Sequence, residues 1–99
     1  MPKIYEYFGL IFLFYSNDHL PVHVHVKSGD EVNKYVLEYE NGVLIKILKT
    51  KTRNPLNEKK HKESVAFIQK YHKQITAKWH DFFVLHKSPK CRKITKRIK

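Results

Sequence analysis

Apolar and polar residues alternate with a period of two along the first half of the chain and recur every three or four residues along the second. "KIYEYF" (residues 3–8) and "LIFLFYS" (10–16) flank Gly9, which predicts a tight hairpin or a bulge between two strands. "VHVHVK" (22–27) alternates strictly, with Val22, Val24 and Val26 on a core-facing side and His23, His25 and Lys27 on the other. "NKYVLEYE" (33–40) and "VLIKILK" (43–49) are joined by Asn41-Gly42, a hairpin signal because both residues tolerate positive φ.

After "KTKTRNP" the period lengthens. Asn54 can cap a helix, Pro55 suits its first position, and Val65, Ile68, Ile75, Trp79 and Phe82 or Phe83 mark one apolar stripe. These spacings predict one long amphipathic helix from about Pro55 to Leu85, unbroken or in two pieces, ended by Ser88-Pro89. The expected class is α+β: an N-terminal antiparallel sheet of four to five strands packed against a long C-terminal amphipathic helix. Residues 1–86 form the single domain and residues 87–99 a basic tail with few apolar anchors, mobile when free. A chain of 99 residues supports one core and no more.

Charge separates the two halves as sharply as the period does. Residues 1–52 carry six lysines against six acids, whereas residues 53–99 carry fourteen Lys or Arg against three acids, so the whole net charge of +11 lies in the second half. Such a surface suits a polyanion, either nucleic acid or an acidic protein, and reads otherwise as a solvated lysine-rich helix face. Cys91 stands alone, which excludes an internal disulfide and fits a reducing interior. The longest apolar run, "GLIFLFY", falls far short of a membrane span, so the expectation is a cytoplasmic protein with no membrane association. Phosphate-loop, dinucleotide-binding and nucleophile-elbow motifs are all missing, and no nucleotide cofactor is implied.

The candidate chemistry is concentrated in "SNDHLPVHVHVK". On a strand, His23 and His25 project from one face about 7 Å apart, and the bend at Leu20-Pro21 can bring His19 over them. Three readings stay open. The imidazoles form a metal site with His19, His23 and His25 as ligands of a divalent ion; they act as a metal-free acid-base or phosphate-contact pair; or they are polar residues on a wet sheet face. Asp18 can orient an imidazole or simply bond its own turn, and Lys27 adds a cation on the same face. The candidate catalytic set is therefore His19, His23, His25, Asp18 and Lys27. Candidate nucleic-acid contacts are Arg53 before the helix and Lys87, Lys90, Arg92, Lys93, Lys96 and Arg97 in the tail. His72 falls on the apolar stripe and reads as a hydrogen-bonded core residue, while His61, His80 and His86 show no constellation. Trp79, Phe82 and Phe83 read as core packing, or, if exposed together, as a protein interface.

The opening "MPKI", the run "FLFYSNDH", the stretch "PVHVHV" and "YHKQITAKWHDFF" together resemble the small prokaryotic family called domain of unknown function 4160. The resemblance covers residues 1–83; Leu20-Pro21 stands where members commonly carry Pro-Pro, and the tail lies beyond the family pattern. His19, His23, His25 and Trp79 occupy its motif positions. The resemblance implies a toxin-like component of a two-gene, toxin-antitoxin-type module, with a small acidic antitoxin-like partner and RNA or the translation apparatus as target. Joined to the clustered imidazoles, it points to a ribonuclease. The alternatives are a non-enzymatic DNA- or RNA-binding regulator that uses the basic helix and tail, and a metal-binding small domain. An unpaired edge strand would also permit a homo-oligomer.

Overall fold

The two-residue turns set the architecture. Phe8-Gly9 and Asn41-Gly42 both take left-handed backbone, with φ of 44° and 83° in the first pair and 54° and 80° in the second. That geometry closes antiparallel hairpins whose twist matches their strands. A computed structural model of the chain describes residues 3–15, 22–50 and 52–97. In it β1 (Lys3–Tyr7), β2 (Leu10–Leu13), β3 (His23–Ser28), β4 (Glu31–Glu40) and β5 (Val43–Thr50) form an antiparallel meander. The α+β class holds, with α1 (Glu58–Phe83) lying against the sheet.

A sixth strand, β6 (Arg92–Ile94), pairs parallel with β1 and completes the order β5-β4-β3-β2-β1-β6. This differs from the expected four to five strands and from a tail wholly outside the domain. The reason is Ile94, which is buried in the core, while Lys93 sits opposite Glu6 and β1 offers an otherwise open edge.

The helix begins three residues later than Asn54-Pro55 suggests. Asn33 Oδ1 accepts from the Leu56 backbone N–H at 2.9 Å, and Leu56 is buried, so the connection is held flat on the sheet. Capping passes to Asn57, whose Oδ1 accepts from Lys60 N at 2.9 Å. Asn54 instead donates its side-chain amide to Asp30 O. The helix is continuous over 26 residues and stops at Phe83, before Ser88-Pro89. No helix among the described residues is long and apolar enough to cross a membrane.

The core lies between α1 and one face of the sheet. Phe67, unremarked in the helical stripe, is its hub: its ring stacks on Phe12 at 4.4 Å and Tyr71 at 4.6 Å and meets Tyr7 at 5.0 Å and Tyr5 at 5.3 Å. Val24 and Val26 point into this layer with Tyr35 and Leu37, as the alternation of β3 requires. Trp79 and Phe83 pack at 4.5 Å toward the far end, and Phe14 reaches Phe82 and Phe83.

Candidate functional site

Register decides which side chains meet on the helix-free face. The Gly29-Asp30 turn pairs Ser28 with Glu31, and counting outward places Lys27 opposite Val32 and His25 opposite Lys34. Pairing on the other side sets Leu13 beside His25 and Ile11 beside Lys27. One row across the sheet therefore reads Lys3, Leu13, His25, Lys34, Thr50. Directly opposed side chains start about 5 Å apart, so Lys34 joins His25 as closely as Lys27 does along the strand.

His23 and His25 share this face with ring centroids 5.4 Å apart, and the Tyr15 ring meets His25 edge-on at 4.0 Å. They are not wet. His23 is 3% and His25 8% exposed, with Leu13 buried beside them, while Lys27 is exposed and Lys34 half-exposed. A pair of imidazoles so enclosed has fixed ring positions, and Lys27 and Lys34 flank them in register. Such a group can exchange protons with a phosphate and offset its charge.

The other expected members fall elsewhere. Asp18 and His19 lie outside the described residues. Among the described residues no group of three His, Cys, Asp or Glu side chains converges on one point; His23 and His25 supply two metal-competent nitrogens on adjacent rings. Arg53 is exposed on the β5–α1 connection, which is held to β4 by Thr52 Oγ1 donating to Val32 O at 2.6 Å and Val32 N donating to Asn54 O at 2.8 Å. Because Val32 opposes Lys27, Arg53 belongs to the same end of the sheet. Lys87, Lys90, Arg92, Lys93, Lys96 and Arg97 are all exposed, but β6 lies three strand spacings from β3, about 14 Å. Arg97 is also engaged, bonded to Glu63 and stacked over Phe8 at 4.0 Å.

The helix-covered face holds a second set of polar groups, of which only His72 is marked by the sequence pattern. Asn33 Nδ2 donates to the Tyr35 hydroxyl at 2.9 Å, and that hydroxyl pairs with His61 Nδ1 at 2.8 Å. Burial pushes the Tyr35 phenol above its ordinary range, opposed by its bonds to Asn33 and Ser64. One helix segment further on, the Tyr39 hydroxyl meets His72 Nδ1 at 3.0 Å and Thr76 Oγ1 at 2.7 Å. His72 is thus half-buried and hydrogen-bonded, as its place on the stripe implies. Tyr35 and Tyr39 stand four residues apart on β4 and each engages one helix histidine. Every polar partner in these two sets is a fixed element of the fold, so they read as struts between sheet and helix.

The missed members had a signal. Lys34 follows from counting outward from the turn dipeptide Gly29-Asp30, and His61 follows only once Asn33 and Tyr35 are known to face the helix.

No curated protein and no solved structure matches this chain. A family model does: the one described as Domain of unknown function (DUF4160) matches residues 9–80, a span holding β2 to β5, the β3 histidines and the helix as far as His80, and the chain belongs to that family.

Proposed function

We propose that this protein is the toxin-like component of a two-gene module and that it acts on RNA at the helix-free face of the sheet. The observation that carries this reading is the imidazole pair, 5.4 Å between ring centroids, bordered by Lys27 along the strand and Lys34 across it. One imidazole takes the proton of a ribose 2′-hydroxyl as its oxygen bonds to phosphorus. The other protonates the departing 5′-oxygen, leaving a cyclic phosphate and a free hydroxyl. Lys27 and Lys34 offset the negative charge that gathers on the phosphate oxygens in between. The low exposure of both rings selects flexible, single-stranded RNA, which can present a phosphate to an enclosed pair where a duplex cannot. The surplus of +11 supports an acidic partner protein that neutralises the surface when the toxin is silent.

The test is incubation of untagged protein with labelled single-stranded RNA, with and without chelator, for the wild type and His23→Ala/His25→Ala, each verified as folded by circular dichroism. Cleavage lost in the double variant, with a bell-shaped pH profile, supports the acid-base pair. Loss on chelation assigns the chemistry to a bound metal held by the same imidazoles. A second reading is favoured by the exposed tail cations: a regulator that binds nucleic-acid backbone through Lys87, Lys90, Lys93 and Lys96. Binding that falls steeply with salt, without cleavage and unchanged in the double variant, selects that reading and rejects the first.

A further inference from the structure

β5 forms one edge of the sheet, and among the described residues nothing pairs with its outer side. It is long for an edge strand, eight residues, and apolar: Val43 is 63% and Ile45 56% exposed. An edge of this kind is a template for a further strand unless something blocks it. Between β5 and α1 runs a groove of about 520 Å³ whose floor is Leu44, Ile47 and Val65. Its remaining walls carry Lys46, His72 and Lys73 and not one carboxylate.

From this edge and groove we infer that β5 receives an extended, acidic-apolar segment of a partner protein as a seventh strand. Backbone groups on the outer side of β5 supply the pairing, as in strand addition to other sheets. Apolar side chains of the incoming strand enter the groove over Ile47 and Val65, its carboxylates alternate to the other face and meet Lys46, and Lys73 on the helix adds to the positive field at the groove. Charge identifies the occupant. A second copy of this chain would bring an equally cationic edge, whereas an acidic strand meets Lys46, Lys49 and Lys73 with Glu38, opposite Lys46 on β4, the one acid in that row among the described residues. The inference rests on the proposed function only in giving the partner its acidity. It concerns an edge two strands from β3 and stands whether or not the histidines cleave RNA.

The experiment uses the full chain and an acetylated, amidated peptide of alternating Glu and Val, as long as β5, with an alternating Lys and Val peptide as control. Binding is read by fluorescence anisotropy and its location by amide hydrogen exchange. The expected result is saturable binding of the acidic peptide alone, with new protection confined to residues 43–50. In Lys46→Glu/Lys73→Glu, whose altered side chains lie at the groove surface, affinity should fall about tenfold while the circular dichroism spectrum is kept. Failure of the acidic peptide to bind, equal binding of both peptides, or protection arising at β1 or β6 would overturn the inference. So would protection of residues 43–50 without peptide in a sample that sediments as a dimer, since a second copy would then hold the edge. None of these outcomes depends on RNA cleavage, and loss of cleavage in the histidine variant leaves them untouched.

Discussion

The two faces of the sheet surround their polar side chains with different neighbours. On the helix side, Asn33 and Tyr35 are buried and Tyr39 half-buried, and their polar atoms find partners on α1 and its leading loop. On the helix-free side, His23 and His25 are as deeply enclosed, yet the cross-strand neighbours are Lys34 and the aliphatic Leu13 and Val36. Burial alone therefore does not distinguish the two sets; their neighbours do. On the helix side the buried polar atoms bond to the helix and its leading loop and so stabilise the fold, whereas beside the two imidazoles the register sets Lys27 and Lys34, the neighbours on which the proposed role of that face rests.

Substitutions can break that contrast at several strengths. Phe67→Ala should have the largest effect, about 3–5 kcal/mol of stability by chemical denaturation, because it removes the ring on which four others pack. Asn33→Ala comes next at about 2 kcal/mol, since it strands the Leu56 N–H and removes a donor from the Tyr35 hydroxyl, both buried. A result near zero there would mean the strut is not one.

Tyr35→Phe should cost about 1 kcal/mol at neutral pH and change the alkaline limb. The phenol is raised in the folded state, so folding favours its protonated form. Its stabilising contribution is complete below the ordinary tyrosine range and is lost as pH climbs through the raised folded value. The wild type should thus lose stability above about pH 10, and the variant should lose less over the same window, as read by denaturant midpoints. Tyr5 is raised in the same direction, mainly by burial, and keeps part of the slope in the variant.

Lys27→Gln/Lys34→Gln should be the mildest, within about 0.5 kcal/mol of wild-type stability. Its signature is instead in RNA: the slope of log affinity against log salt should fall by about 1.4 if both lysines contact phosphate. Salt dependence unchanged in this variant would remove the helix-free face from the nucleic-acid surface.

Most of the frame was legible in the chain. Gly9 and Asn41-Gly42 announced their hairpins, because a turn that demands positive φ leaves few residue choices, and the alternation of β3 placed Val24 and Val26 in the core. Three things were not. Strand β6 depends on Ile94 finding a core assembled from residues far away in the chain, which no local pattern encodes. The helix start moved because a tertiary bond, Asn33 to Leu56, outweighs the local preference of Asn54-Pro55. Of the candidate site, the H-x-H spacing was visible in the chain, but its enclosure and its second lysine depend on packing and register, and Asp18 and His19 lie outside the described residues.

The parallel pairing of Tyr5 with Arg92 carries a kinetic consequence. The five-strand meander assembles from neighbours in the chain and can form early, one hairpin after another. The β1–β6 clasp must wait until nearly the whole polypeptide has been gathered, and its closure entropy is met only after α1 has docked. Unfolding under tension or in mild denaturant should accordingly begin where folding ends, with Ile94 leaving the core and β1 becoming an open edge, while β3, in the middle of the remaining meander, is the last strand to exchange its amides.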